Sequence, residues 1–394
     1  MSSDPTVIAG YARTPIGGFQ GSLSSLKATD LGALSVRAAV ERAQVPVGAV
    51  ERIYMGCVLP AALGQAPARQ AALKAGLPES VQATTVNKMC GSGMQAAIMA
   101  TEALQSSAAE VIVAGGMESM TNAPYALPKH RNGARIGHDR VVDTMMMDGL
   151  EDAYQPGKPM GSFAQDTADA YQLSREMQDA YALRSLERAR AAIASGAFSD
   201  EIAPVAVKTR NGEAMVDADE QPGSARPEKI PSLKPAFATN GTITAASSAS
   251  ISDGAAALVM TRRSIAERLG LPALAQVMGT AAHAQAPALF TTAPVQAIRN
   301  LLAVTGWNVG DVDLFEINEA FAAVAIIAAR DLRIPEDRLN VNGGATALGH
   351  PIGASGARII VTLLSALKHR GLRRGIASLC IGGGEATAMA FELV

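Results

Sequence analysis

The sequence predicts a duplicated α/β protein with a loop-rich insertion, and three observations carry that expectation. Short apolar runs alternate with longer helical patterns, the signature of helices layered on buried strands. Residues 38–54, AAVERAQVPVGAVERIY, and 298–315, IRNLLAVTGWNVGDVDLF, repeat one order of helix, short turn with Val-Gly-x-Val, and strand. Between the two copies lies a stretch of different character, rich in proline and charge.

Taken in order, a strand over residues 6–9 begins almost at once, followed by a helix over 31–43 and a strand over 50–55. Val86-Asn87 then leads through a glycine-rich turn into a helix over 93–104 and a strand over 111–116. From Met117 to about Asn240 the chain carries Pro124, Pro128, Pro156, Pro159, Pro204, Pro222, Pro227, Pro231 and Pro235. One helix is expected there, over 175–195, opened by Ser174 with Met177 in place of the usual capping-box acid. The KHRNGARIGHDR run (129–140) reads as a solvated loop, with a phosphate or oligomer contact as the alternative. A strand over 258–260 follows, then one over 314–317. Val341-Asn342 again precedes a glycine-rich turn, a helix over 354–367 and a strand over 376–381. The expected division is residues 1–120, an inserted loop domain over 121–245 with a return to the first half until about 269, and residues 270–394.

Composition removes several function classes. The 394 residues are 48% hydrophobic and 18% charged, which excludes intrinsic disorder and supplies a large core. Lys and Arg number 34 against 36 Asp and Glu, a formal charge of −2, so no global basic field argues for nucleic acid or an anionic membrane. No run approaches the ~18 apolar residues of a membrane span. The polar start Met-Ser-Ser-Asp-Pro lacks the features of a targeting peptide, and a cytoplasmic location is expected. Three cysteines cannot be a disulfide framework, and their spacing matches no zinc pattern, so no metal site is expected.

Cys90, in Asn87-Lys88-Met89-Cys90-Gly91-Ser92-Gly93, sits on a turn that opens a helix. A free cysteine is only ~3% thiolate at neutral pH, and a helix dipole offers ~0.3–1 kcal/mol, so a nucleophile there needs a base nearby. The alternative is a buried structural thiol. His350, one of five histidines, lies in Asn342-Gly343-Gly344-Ala345-Thr346-Ala347-Leu348-Gly349-His350-Pro351-Ile352-Gly353, the counterpart of the Cys90 turn in the other half. Nucleophile and base on matching turns of two halves would meet the requirement. Cys380 precedes Ile381-Gly382-Gly383-Gly384 at a strand end, where backbone N–H groups can converge on an oxyanion; a core cysteine is the other reading. Cys57 lacks such glycines and is read as structural. In Glu316-Ile317-Asn318-Glu319-Ala320-Phe321, Asn318 is suited to orient a water or an oxyanion and Glu319 to fix a histidine, with helix capping as the alternative.

Together NKMCGSG, NEAF, GGATALGHPIGASG and CIGGG, in this order, resemble the thiolase family over essentially the whole chain, from Tyr11-Ala12-Arg13-Thr14-Pro15 to Gly384. The resemblance implies a thiolase fold, with duplicated βαβαβαββ halves in five αβαβα layers. It implies acetyl-CoA C-acetyltransferase activity, a reversible Claisen condensation of two acetyl-CoA to acetoacetyl-CoA and CoA. By the same resemblance Cys90 is the acylated nucleophile, His350 takes its proton and later serves an oxyanion hole, and Cys380 removes the Cα proton. Asn318 would hold a water, and the N–H groups of Cys90 and Gly382 would form the second oxyanion hole. Leu150, Met160, Phe237, Ala246, Ala249 and Phe321, with Ser248 nearby, are implied to line the pantetheine channel. No cofactor is implied beyond coenzyme A thioesters as substrates, and a homodimer or homotetramer is. Two departures stand out: Ala249 where a family serine bonds pantetheine, and Pro159 where many short-chain enzymes carry His. A long-chain 3-ketoacyl-CoA thiolase of β-oxidation shares every motif. A decarboxylating synthase is disfavoured by Cys380, and a non-catalytic CoA- or lipid-binding relative is expected to have lost one of the four site residues.

Overall fold

The computed structural model describes residues 4–209 and 212–394. The first half runs β1 (Thr6–Arg13), α1 (Ala28–Arg42), β2 (Arg52–Gly56), α2 (Pro67–Lys74), β3 (Gln82–Val86), α3 (Ser92–Gln105) and β4 (Val111–Ser119). The intervening region holds α4 (Met160–Ala170), α5 (Arg175–Ser195) and a hairpin of β5 (Val205–Thr209) and β6 (Gly212–Val216). β7 (Ser252–Arg262) then returns to the first half's sheet. The second half runs β8 (Ala275–Ala284), α6 (Ala293–Thr305), β9 (Leu314–Ile317), α7 (Ala322–Leu332), α8 (Ile352–Arg370), β10 (Arg374–Ile381) and β11 (Glu385–Leu393).

The strand order, β9-β10-β11-β8-β1-β7-β4-β2-β3, makes the duplication visible. Outward from the centre, β1-β7-β4-β2 on one side corresponds to β8-β11-β10-β9 on the other. The inner pairings are antiparallel on both sides, and β2–β4 and β9–β10 are parallel. Among the described residues the two half-sheets pair through a short seam, Val7 with Gln276 and Ile8 with Ala275. Helices fill three layers. The α1 and α2 helices cover the outer face of the first half-sheet, and α6 and α7 that of the second. Helices α3 and α8 lie between the half-sheets in a third core. A helix enclosed on all sides buries every face, and sixteen residues of α8 are buried. Gly371, at φ 65°, ends it in the left-handed conformation.

Two sequence readings change in detail. The third strand expected in the second half shrinks to a single bridge, Phe315 with Leu339. There the Asn340 side chain replaces the ladder, accepting from Ile317 N at 2.8 Å and donating to Ile317 O at 2.9 Å. Asn340 sits at φ 47°, a conformation that ends strand pairing and that asparagine tolerates. The intervening region also contains α4, hidden in the sequence by Pro159 and Gly161 at its start. The expected helix, α5, begins as read, with the Ser174 hydroxyl accepting from Met177 N. The 129–140 run is a largely exposed loop.

Small residues bring α8 into backbone contact with β4 and α3. A Cβ on Gly116 would lie 2.0 Å from Gly353 O, and one on Gly356 would lie 2.3 Å from Met94 N. The N-terminal ends of both helices therefore meet at the joint of the halves. A buried ionic cluster ties the intervening region to this frame: Arg13 of β1 bonds Glu201 at 2.6 Å and Asp219 at 2.7 Å and 2.9 Å.

Gly116→Ala is expected to force β4 and α8 apart and lower stability by about 1–3 kcal/mol, the usual cost of overpacking. Thermal unfolding measures it, and an unchanged midpoint would contradict the contact.

Candidate active site

Each half contributes one turn to the joint. The first links β3 to α3 and carries Cys90. It is stitched by Ser92, whose hydroxyl accepts from Lys88 N at 2.8 Å and donates to Met89 O at 2.6 Å. Asn87 Oδ1 accepts from Met89 N at 3.1 Å, and Met89 itself adopts φ 47°. That backbone is disfavoured for a non-glycine residue and is held by these bonds. Gly91 carries no Cβ because one would meet Ile381 Cδ1 at 2.3 Å. This closeness sets the Cys90 turn against the Cys380–Gly384 turn between β10 and β11. Cys90 is half-buried, and its sulfur faces the N–H groups of Gly382 and of Cys90 itself. Burial pushes the thiol up to about 11 against the pull of those two donors.

The second turn precedes α8 and carries His350. Ring Nδ1 lies 2.6 Å from Ser355 Oγ, and Ser355 in turn donates to Pro351 O at 2.9 Å. The serine proton is thus committed to Pro351, and the ring proton sits on Nδ1, leaving Nε2 as an acceptor. Nε2 is buried with no protein partner, and His350 lines the cavity beside Cys90. Burial first, and the Arg358 charge second, push the imidazole down to about 3, so it is neutral. This is a base without charge beside a thiol without charge.

Cys380 is buried at the end of β10, its thiol raised well above the ordinary range by burial and by Cys90. Asn318, following β9, is also buried; its Nδ2 lies 3.4 Å from His350 Nδ1 and its Oδ1 accepts from Arg358 at 3.2 Å. Glu319 does not reach the histidine, contrary to one reading of its motif. It accepts instead from Tyr181, Ser185, Asn340 and Thr346, fixing the glycine-rich turn to α5. Tyr181 and Ser185 were invisible in the sequence because α5 is 134 or more residues away. Glu118 was missed too. Its carboxylate accepts from Val58, Leu59 and Gly353 across the joint, and burial lifts it to about 7.

A cavity of about 310 Å³ opens onto Cys90, His350 and Gly382. Of the residues expected along the channel, Leu150, Met160, Phe237, Ser248, Ala249 and Phe321 line it. Ala246 is off the wall, its N–H turned to Thr244 Oγ1 at 3.2 Å. The Ser248 hydroxyl is engaged by Thr244 O at 2.8 Å. Asn318 and Cys380 stand behind the wall rather than on it. Met89, Met120, Met146 and Phe290 complete an apolar lining that the sequence reading did not name. Phe237 and Phe290 meet Phe321 edge to face, with centroids 5.9 Å and 6.4 Å away. Among the described residues, no cluster of three His, Cys, Asp or Glu is placed to hold a metal.

Comparison with known proteins gives a consistent result. Residues 6–264 match the family model "Thiolase, N-terminal domain" and residues 271–393 match "Thiolase, C-terminal domain". The chain is 50% identical over 390 residues to acetyl-CoA acetyltransferase 2 of Arabidopsis thaliana, covering 98% of this chain and 96% of that one. It is 47% identical to a probable acetyl-CoA acetyltransferase of Escherichia coli (strain K12), covering 98% of each. Among solved structures, the Acat5 thiolase of Ascaris suum in complex with coenzyme A superposes with a TM-score of 0.93 at 40% identity, covering 99% of this chain and 100% of that one. The Bacillus anthracis acetyl-CoA acetyltransferase superposes at 0.96 and 40% identity, covering 99% of each.

Because the Cys90 thiol is raised by burial to about 11, it is protonated at neutral pH and its thiolate fraction grows with pH. Alkylation of Cys90 by iodoacetamide, followed by mass spectrometry, should therefore accelerate about tenfold per pH unit between pH 7 and 10. A plateau already reached at neutral pH would reveal a resting thiolate instead.

Proposed function

The chain belongs to the thiolase family of acyltransferases, and on that premise we propose that it is an acetyl-CoA C-acetyltransferase whose chemistry is carried by Cys90, His350, Cys380 and Asn318. One observation carries the reading: the unpartnered Nε2 of His350 and the Cys90 thiol open onto one apolar cavity, with the Gly382 N–H aimed at the sulfur.

The steps follow from the chemistry of these groups. Cys90 sulfur attacks the thioester carbonyl of acetyl-CoA while its proton passes to His350 Nε2. The oxyanion accepts from the N–H groups of Cys90 and Gly382, donors already fixed before reaction. The C–S bond to CoA breaks, Cys380 protonates the departing sulfur, and acetyl-Cys90 remains with a Cys380 thiolate. A second acetyl-CoA then loses a Cα proton to that thiolate. Its enolate oxygen is held by the proton on His350 Nε2 and by a water on Asn318 Nδ2. Enolate carbon attacks acetyl-Cys90, and the released Cys90 sulfur recovers its proton from His350. Protons balance, and both cysteines return as thiols. A thioester intermediate suits the purpose because it keeps the acyl group reactive for the second step.

Leu150, Met160, Phe237, Ser248, Ala249 and Phe321 are assigned to the pantetheine channel, supported by their places on the cavity wall. With Ala249 and an engaged Ser248, this channel relies on apolar contact more than on hydroxyl bonds. The reading also takes residues 1–120 and 270–394 as the catalytic halves, with residues 121–245 covering the substrate. It takes the assembly as a homodimer or homotetramer and the location as cytoplasmic, supported by three free cysteines. No helix among the described residues is long and apolar enough to cross a membrane.

CoA-dependent cleavage of 3-ketoacyl-CoA substrates of four to sixteen carbons tests the assignment. A steep preference for four carbons is expected; equal turnover of long chains would move the enzyme to β-oxidation, and no turnover would overturn the enzymatic reading. Cys90→Ala should abolish acetyl-enzyme formation, whereas Cys380→Ser should slow condensation by about 10²-fold or more with acylation less affected. Equal loss of acylation in both variants would contradict the division of labour.

A further inference from the structure

Glu316 and Asn318 lie two residues apart at the end of β9, so their side chains leave the chain on the same side. Both face α8, and one residue of that helix joins them. Arg358 Nη1 donates to Glu316 Oε1 at 2.9 Å, and Arg358 Nη2 donates to Asn318 Oδ1 at 3.2 Å. All three side chains are buried, and none lines the cavity.

We propose that Arg358 is a positioning residue, which fixes the direction of the Asn318 amide and thereby aims its NH2 group at the reaction site. The argument rests on donor inventory. A carboxamide presents an oxygen at one end and two N–H bonds at the other, and burial alone does not choose between them. Guanidinium has donors only, so the end of Asn318 that meets Arg358 is the oxygen. The opposite end, Nδ2, therefore points toward His350. There it finds no acceptor of its own, because Nδ1 carries the proton bonded to Ser355 and lies 3.4 Å away. Its hydrogens stay available for a water or for a developing oxyanion.

Glu316 makes this arrangement possible by holding the guanidinium at the end of β9, accepting from Nη1 while Nη2 is left for Asn318. Burial pushes its carboxyl up against the pull of that guanidinium. The helix supplies a polar line for the whole arrangement: Ser355, Arg358 and Thr362 recur at helical spacing and reach His350, Asn318 and Glu201 respectively. The first two of these each define the hydrogen-bonding state of a site residue.

This inference rests on the proposed role of Asn318 in condensation, and the experiment separates the two. Wild type, Asn318→Ala, Arg358→Lys and the pair-replaced Arg358→Met/Glu316→Gln variant are compared, the last because removing a buried ion pair together is milder than removing one partner. Acetyl-Cys90 formation is followed by mass spectrometry, and enolate formation by exchange of acetyl-CoA Cα protons in D2O. Both Arg358 variants should lose about tenfold or more in exchange and in condensation kcat, with KM and acylation nearly unchanged. Combining Arg358→Lys, which keeps the positive charge facing His350, with Asn318→Ala should cost little beyond Asn318→Ala alone, since Arg358 positions the amide of Asn318. Equal loss of acylation and exchange, losses that multiply with Asn318→Ala, or failure of both Arg358 variants to fold would make Arg358 structural and overturn the proposal. A wild-type enzyme that forms no acetyl-Cys90 would instead overturn the reading beneath it.

Discussion

Two helix N-termini in backbone contact are the constraint on which this molecule is built. Helices α3 and α8 occupy equivalent places in the duplicated halves, and a pair of ordinary helices would stand 8–10 Å apart. Here glycine stands wherever the first turn of α8 crosses the other half, as the 2.0 Å and 2.3 Å clearances at Gly116 and Gly356 require. The turns that lead into these helices cannot then be far apart, and those turns carry Cys90 and His350. The active site is a consequence of the joint and needs no separate framework. It also explains why neither half is complete alone: Cys90, the proposed nucleophile, belongs to one repeat and His350, the proposed base, to the other.

Around such a joint buried charges are met by protein groups, while His350 Nε2 is left open to the cavity. Glu118 bridges the halves through the N–H groups of Val58, Leu59 and Gly353, the last in the first turn of α8, where a carboxylate is favoured by the helix dipole. Glu319 gathers donors from α5 and from the glycine-rich turn. Arg13 is matched by Glu201 and Asp219. Each of these buried charges joins segments distant in sequence. Removing a single partner would leave a charge uncompensated in a dry interior, the costly half of any buried pair.

What the sequence disclosed and what it hid follow the same physics. The repeat was legible because helix, turn and strand leave local patterns, and both Val-Gly-x-Val segments form a short 3-10 turn before a strand. Cys90, His350 and Cys380 were legible because glycines surround them, and glycine marks close approach. The five-layer architecture came from the resemblance, since periodicity cannot say how two half-sheets share a seam of two residue pairs. The cavity wall was only half seen: Met89, Met120, Met146 and Phe290 read as ordinary core residues until tertiary structure gathers them. Ala246 falls just outside the wall, which takes up the consecutive residues 248–251. Glu319 was given the wrong neighbour because two of its donors, Tyr181 and Ser185, lie on the inserted helix. Arg358 is unreadable as anything but a helical arginine until Asn318 is seen beside it.

The site at rest holds no charge at its reacting atoms, and burial is the common cause. It raises Cys90 to about 11, raises Cys380 well above the ordinary thiol range, and lowers His350 to about 3. Each group is thereby silenced when taken singly. On the proposed course, however, charges arise in opposite pairs, imidazolium against oxyanion and then imidazolium against thiolate. Two opposite charges created together at short range attract far more strongly in a dry cavity than in water. The apolar wall that suppresses a lone thiolate therefore strengthens the pair, and it strengthens the fixed N–H donors of Cys90 and Gly382 in the same measure. An ion-paired resting thiolate would surrender this difference between ground state and transition state, because its stabilisation would already be present before the substrate arrived.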